Sequence, residues 1–220
     1  MKRFLNAVGS FFGTLWAGKA SRALLLTAGA LIVAAVVVAV CLFNEGVTAA
    51  NHAQALMAAY DDTVSAEPAV SAEASAAPEQ TTKPDAEPVT IDGYQVMGKL
   101  EIPKIEAELP VIAYTDDDAL KVSVCYYQGP MPGEPGNLVI TGHNFANGAH
   151  FGRLDELKAG DEVTLSMPDG SLFRYTVTDK QVIKPDDTQA LDADGDSHVL
   201  TLLTCTNHGN ERLLVKCGLE

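Results

Sequence analysis

A run of 21 uncharged residues, 23–43 (ALLLTAGALIVAAVVVAVCLF), constrains this 220-residue chain more than any other feature. As an α-helix rising about 1.5 Å per residue, it spans about 31 Å, roughly the thickness of a bilayer's hydrocarbon core. The core helix of a soluble domain is seldom apolar on every face over such a length. A cleaved signal peptide is the alternative, but its apolar region normally covers only about 7–15 residues. We therefore expect an uncleaved transmembrane signal anchor at 23–43.

Charge is distributed unevenly around this run. Residues 1–44 contain four Lys or Arg and no acid, whereas the other 176 residues contain 11 basic and 29 acidic side chains. The positive-inside rule predicts a cytoplasmic or interfacial tail at 1–22, a single-pass anchor held by membrane lipid, and an extracellular body. Because an acidic body repels phosphates, nucleic acid is excluded as a partner.

Residues 44–92 are expected to form an extracellular acidic stalk rich in Ala and Pro. The stretch 61–90 contains seven Ala, four Pro and seven acids, with one Lys and no aromatic residue. Such a composition buries too little apolar surface to offset the entropy of folding, and its Pro residues and like charges keep the chain extended. The preceding residues, 45–60, could extend the membrane helix outward for a few turns.

Residues 93–220 have the patterns of one mainly β domain with short helices. Alternating or continuous apolar runs predict the following strand regions: 98–105, 109–114, 137–143, 161–183, 198–205 and 211–217. The region 161–183 is expected to be a hairpin that turns at Pro168, Asp169 and Gly170. Two short helices are predicted, at 116–121 and around 151–157. Many short strands with few helices favour a closed β-barrel.

One histidine and one cysteine follow predicted strands closely. His143 comes after the strand 137–141 through a glycine, and Cys205 closes the apolar strand 198–204. A Cys and a distant His are the general arrangement of a thiol nucleophile and its acid/base partner. The other interpretation makes Cys205 an inert core thiol and His143 a loop residue bonded to backbone. His208 is the second candidate for the acid/base.

Arg212 favours the catalytic interpretation. Only six residues, TNHGNE, separate it from Cys205. If the last two strands form an antiparallel hairpin, the guanidinium lies beside the thiol. A fixed cation there favours the thiolate and offers donors to a developing oxyanion. Taken alone, Arg212 would be a surface residue paired with an acid such as Glu211.

Three motifs, TGHN (141–144), TLLTC (201–205) and RLLV (212–215), resemble those of the sortases, the membrane-anchored cysteine transpeptidases of Gram-positive bacteria. The resemblance covers about 95–217. It also includes three longer runs: 98–111, 126–144 and 151–163. It implies a closed sortase-type β-barrel at 93–220. No Asp-Pro lid motif of the pilus-polymerising sortases occurs, so a class B- or D-like, non-pilus type is expected.

By position, the resemblance implies that Cys205 is the nucleophile, His143 the acid/base and Arg212 the stabiliser of the oxyanion. Thr204 and Asn144 are further candidates for substrate binding or oxyanion support. The implied reaction cleaves an LPXTG-like sorting signal on a surface protein through a Cys thioester. The protein is then transferred to an amine of a peptidoglycan precursor. Two other functions stay open: a non-catalytic membrane-tethered β-barrel binding module, and a plain cysteine protease without transfer.

No cofactor or metal is expected. The acidic run 192–196 (DADGD) suggests a calcium loop, but an EF-hand needs Gly and Glu where this chain has Ser197 and Leu203. A solvated acidic loop is the preferred interpretation, and a functional loop at this place would border the substrate groove. Cys125 and Cys217 could form an extracellular disulfide or remain free, and the sequence does not decide between these states.

Overall fold

A computed structural model of the chain describes residues 19–66, 87–192 and 197–220. The tail before residue 19, most of the stalk (67–86) and the acidic positions 193–196 lie outside the described residues. Helix α1, Lys19–Ala66, begins in one compact unit, residues 1–45, and ends in a second, residues 46–220. Its segment Leu26–Ser65 is long and apolar enough, by length and composition, to cross a membrane.

The second unit is built mainly from strands. They are β1 (Val89–Ile91), β2 (Tyr94–Ile102), β3 (Ala107–Ile112), β4 (Val124–Gln128), β5 (Gly136–Gly142), β6 (Glu162–Ser166), β7 (Leu172–Ile183), β8 (His198–Thr206) and β9 (Glu211–Leu219). One short helix, α2 (Asp117–Val122), precedes β4. Single 3₁₀ turns lie at Pro103–Ile105, Leu154–Glu156, Thr188–Leu191 and Asn207–Gly209.

Eight of these strands close into a barrel. Their order is β2-β3-β4-β5-β8-β9-β7-β6, and a further pairing between β6 and β2 completes the ring. Strand β1 pairs with β2 outside the closed ring. Two neighbouring pairs, β3 with β4 and β5 with β8, are parallel, and the others are antiparallel. The predicted closed, mainly β barrel is confirmed.

Alternating side chains from the strands fill the barrel interior. On β8, Leu200 and Leu202 belong to the main core, whereas Leu203 belongs to a separate apolar cluster. The period of two along a strand therefore separates an interior face from an outer face. Cys205 shares the outer face with Leu203, because the two residues are two positions apart.

Helix α1 ends as an amphipathic helix packed into the second unit. Its buried positions recur at helical spacing: Gly46, Ala49, Ala53, Leu56, Met57 and Tyr60. The continuation of the membrane helix beyond residue 43 was anticipated, but its burial was not. Residues 46–65 therefore belong with the folded domain, whereas the sequence placed all of 44–92 in the stalk.

Other predicted elements match with small differences. The hairpin at 161–183 forms as β6 and β7, with Met167 N–H donating to the Ser171 carbonyl at the turn. The helix expected around 151–157 is a single 3₁₀ turn, Leu154–Glu156. Strand β4 was not predicted, because VCYYQ alternates poorly and lies directly after a helix.

Candidate active site

Parallel pairing of β5 and β8 brings His143 and Cys205 to the same edge of the barrel. Gly142 is the register partner of Thr204. His143 and Cys205 are the next residues of their chains, and neighbouring strands lie about 4.8 Å apart. Two residues that are far apart in sequence are therefore close in the fold.

Hydrogen bonds fix this juxtaposition. The buried Thr204 hydroxyl donates to the Gly142 carbonyl at 2.7 Å. The Asn144 side-chain amide donates to the Cys205 carbonyl at 2.9 Å. Thr204 and Asn144, which were singled out as possible substrate or oxyanion groups, thus join the chain around His143 to the chain around Cys205.

Arg212 lies directly opposite Cys205 in the antiparallel register of β8 and β9. Both side chains are half-buried and project from the same face, as directly opposed residues do. The Arg212 Nη1 donates to the carbonyls of Gly209 at 2.9 Å and Glu211 at 3.0 Å. The short loop between the strands therefore holds the guanidinium near the thiol. His208, the second candidate acid/base, is exposed on that loop.

Close packing shapes the chain at His143. A Cβ on the preceding Gly142 would lie 2.7 Å from Val124 Cγ1 and 3.0 Å from Phe151 Cδ2, so only glycine fits there. The Phe151 N–H donates to the His143 carbonyl at 3.0 Å. The chain thus turns back on itself directly after the histidine.

The imidazole of His143 is half-buried, and burial lowers its pKa. Asp117 of α2 opposes this shift of the His143 pKa, and Lys121 reinforces it. The ring also meets Phe145 edge to face, with the ring centroids 5.3 Å apart. A half-buried, mostly neutral imidazole next to a thiol can exchange protons with the groups that react there.

An apolar cluster on the outer face continues from Cys205. Val139, Leu191, Leu203 and Leu214 form it. The 3₁₀ turn that carries Leu191 is held by Asn137, whose amide donates to the Leu191 carbonyl at 2.8 Å. Asn137 in turn accepts a bond from the buried Thr201 hydroxyl at 2.8 Å. The turn Thr188–Leu191 is thereby fixed against the cluster that includes Leu203, two positions from Cys205.

The remaining cysteines have no geometry for catalysis. All four cysteines are free, so Cys125 and Cys217 do not form a disulfide. Burial raises the pKa of both of these thiols to about 12. Among residues 19–66, 87–192 and 197–220, no three His, Cys, Asp or Glu side chains are grouped to hold a metal.

Two side chains near His143 were not predicted from the sequence. Phe145 contacts the His143 ring, and the buried His150 contacts Phe145 from another side, with centroids 5.1 Å apart. The sequence does not single out His150, because its spacing from other histidines and cysteines is not that of metal ligands. The apolar positions from Gly46 to Tyr60 recur at helical spacing. This pattern predicts a packed helix but not the surface that the helix covers.

The sequence is similar to known proteins over most of the barrel. The family model for the sortase domain matches residues 100–220. Sortase D of Bacillus subtilis (strain 168) is 37% identical over 112 residues, which cover 50% of this chain and 54% of that protein. The chain thus spans about half the length of the curated relatives it matches.

Solved structures give the same result. A sortase D5 transpeptidase from Clostridium perfringens superposes with a TM-score of 0.54 at 30% identity, covering 60% of this chain and 82% of that one. Clostridium perfringens sortase C with the C-terminal cell wall sorting motif gives a TM-score of 0.53 at 34% identity, covering 57% and 71%. Since the matched residues run from the end of β2 through β9 and make up more than half of the chain, this protein belongs to the sortase family.

Proposed function

We propose that this protein is a membrane-anchored cysteine transpeptidase of the Gram-positive cell envelope. It cleaves an LPXTG-like sorting signal on surface proteins and transfers them to an amine of a peptidoglycan precursor. The observation that supports the proposal is that strand register brings the positions of three chemically suited residues to one barrel edge. Cys205 pairs in register with Arg212, and His143 follows the residue that pairs with Thr204.

Cys205 acts as the nucleophile in the first half of the reaction. Its thiol gives a proton to His143, the resulting thiolate attacks the carbonyl carbon of the scissile peptide bond, and the guanidinium of Arg212 stabilises the oxyanion that forms. The C–N bond then breaks as His143 gives a proton to the leaving amine. The product is a thioester between the surface protein and Cys205.

His143 acts as the base in the second half. The acceptor amine gives a proton to His143 and attacks the thioester carbonyl. A new amide bond forms, and the thiolate of Cys205 leaves and recovers its proton from His143. The lowered pKa of His143 supports this step, because a neutral imidazole can accept the proton.

A buried apolar cluster stabilises the strands that carry the site. Leu203 and Leu214 lie two positions from Cys205 and Arg212 on β8 and β9, and they pack with Leu191. A sorting peptide would place its scissile bond at Cys205. Sortase C of Clostridium perfringens, solved with a cell wall sorting motif, is 34% identical and supports the same substrate class. The 37% identity with a sortase D favours the D-like class.

Residues 23–43 anchor the enzyme with its amino terminus in the cytoplasm. The apolar helix and the basic residues before it support this topology. Protease added to intact protoplasts should remove residues 93–220 and spare a tag at residue 1. Protection of the barrel domain would contradict the topology.

Peptide turnover tests the enzyme directly. The full chain in detergent micelles should cleave a fluorogenic LPXTG-like peptide, and mass spectrometry should find the acyl group on Cys205. Cys205→Ala should abolish both signals, whereas the control Cys41→Ala, which also removes an exposed thiol, should retain them. Turnover by Cys205→Ala would overturn the assignment of the nucleophile.

Added triglycine distinguishes the remaining functions. A transpeptidase diverts product from the hydrolysed acid to the amide, whereas a plain protease yields acid only. Failure to cleave any member of a sorting-peptide library, together with no acylation of Cys205, would favour a binding module instead.

A further inference from the structure

The packed end of α1 contacts the loop that follows His143. A Cβ on Gly46 would lie 2.3 Å from Oδ1 of Asn147, so the helix approaches this loop as closely as glycine permits. Oδ1 of Asn147 also accepts a hydrogen bond from the Ala149 N–H at 3.2 Å. The amide that meets the helix therefore also holds the turn of the loop.

His150 ends this loop and is buried, with 3% of its surface exposed. Its backbone is left-handed, with φ of 51°. The carbonyls of Ala49 in α1 and Val122 in α2 approach its ring. Among the described residues, however, neither ring nitrogen has a partner at hydrogen-bonding geometry. The ring makes an edge-to-face contact with Phe145, and this packing connects it to the site.

The side chain of Phe145 contacts the rings of both His150 and His143. Phe145 meets His150 edge to face at 5.1 Å and 75°, and it meets His143 at 5.3 Å and 62°. Edge-to-face contacts at these separations are favourable and directional. The three rings thus connect the helix-packed interior to the imidazole beside Cys205.

We propose that His150 is a positioning residue, which holds the Phe145 ring against His143 and so fixes the orientation of the His143 imidazole toward Cys205. The inference rests on the proposed function, in which His143 transfers protons. A small displacement of such a group can cost about 100-fold in rate, so a rigid support has a kinetic effect.

His150 acts by shape rather than by proton transfer. Burial, reinforced by the nearby His143 and opposed by the carbonyls of Ala49 and Val122, lowers its pKa to about 4. The ring is therefore uncharged at neutral pH. An apolar ring of similar size should replace it.

Full-length variants test the role through kcat and KM for peptide cleavage. His150→Ala should lower kcat by about 10- to 100-fold with KM within about twofold, because substrate binding is untouched. His150→Phe should restore kcat to within about threefold of the wild type. The control His52→Ala, at an exposed histidine of α1, should behave as wild type. Equal kcat for His150→Ala and His52→Ala would overturn the proposal.

If His150→Ala does not fold, a variant at the contact between α1 and the loop after His143 provides a second, independent test. Gly46→Ala pushes a methyl group into Asn147, whereas Gly29→Ala in the same helix meets nothing within 4 Å. Both changes raise helix propensity equally, so only the first should lower kcat. Equal kcat values for Gly46→Ala and Gly29→Ala would contradict the proposal that the contact with α1 affects the position of His143.

NMR of the His143 imidazole distinguishes a failure of this proposal from a failure of the proposed function. The ring resonances of His143 should shift in His150→Ala and return toward wild type in His150→Phe. If no variant cleaves peptide but the resonances follow this pattern, positioning holds and the transpeptidase assignment fails. If peptide is cleaved but neither kcat nor the resonances change in His150→Ala, positioning fails alone.

Discussion

Cys205 and Arg212 are register partners on the last two strands of the barrel. The guanidinium is held through Nη1 by the carbonyls of Gly209 and Glu211. In the part of the chain that the structure describes, no hydrogen bond engages Nε or Nη2, so these donors are available to a bound substrate. The loop between β8 and β9 therefore orients the arginine without using all of its donors.

Variants of Arg212 should show whether its positive charge alone or the planar arrangement of its donors stabilises the oxyanion. We expect Arg212→Ala to lower kcat by about 100-fold, because an oxyanion donor is lost. Arg212→Lys should recover only part of this loss, since an ammonium lacks the planar fork of donors. Arg174→Ala, at an exposed position of β7, should leave kcat unchanged. Steady-state kinetics on the sorting peptide provides the check, and equal rates for the two alanine variants would exclude an oxyanion role.

Thiol reactivity should distinguish the cysteines of the barrel. In a Cys41→Ser background, iodoacetamide should modify the half-buried Cys205 at neutral pH. Cys125 and Cys217 should stay unmodified until the protein is denatured, because burial excludes the reagent and raises the pKa of both thiols to about 12. Peptide mapping by mass spectrometry measures the three sites together. Rapid native labelling of Cys125 or Cys217 would contradict this order.

The bond from Thr201 to Asn137 should support both stability and substrate binding. Thr201→Val leaves the buried Asn137 Oδ1 without its donor, which should lower the free energy of unfolding by about 1–3 kcal/mol. Because Asn137 also holds Leu191, the loop beside Cys205 should loosen and KM should rise. Urea unfolding and peptide kinetics test both effects, with the exposed Thr90→Val as the control. A KM equal to that of the control would show that this hydrogen bond does not affect substrate binding.

Acid should destabilise the barrel through His150. Its pKa is about 4 when folded, against about 6.5 when unfolded, so between these values the unfolded state binds the extra proton. Stability from this residue is therefore fully present above pH 6.5. It is lost as pH falls toward 4, by about 1.4 kcal/mol per pH unit.

His150→Phe should remove this part of the pH dependence. The carboxylates contribute equally to both proteins, so the difference between their free energies of unfolding isolates the histidine. Urea titrations at pH 7 and pH 5 measure it. Parallel pH profiles for wild type and His150→Phe would show that the His150 pKa is not lowered by folding.

The sequence by itself determined features that depend on neighbouring residues. The uncharged run 23–43 predicts a membrane-length helix, because a bilayer imposes its own thickness on the chain. The alternation at 161–183 with its central turn predicts a hairpin, and the six-residue gap places Arg212 beside Cys205. Each inference involves groups that are close in the chain, where local conformation limits the possibilities.

Only the tertiary structure decided which distant groups meet. His143 approaches Cys205 because β5 pairs in parallel with β8, and parallel pairing joins strands far apart in sequence without a local signature. The fold likewise placed Cys125 and Cys217 in separate apolar clusters, where both are free, and it packed His150 against Phe145. The stripe at 46–60 indicated an amphipathic helix, but the surface it covers depends on packing, which a periodic pattern does not specify.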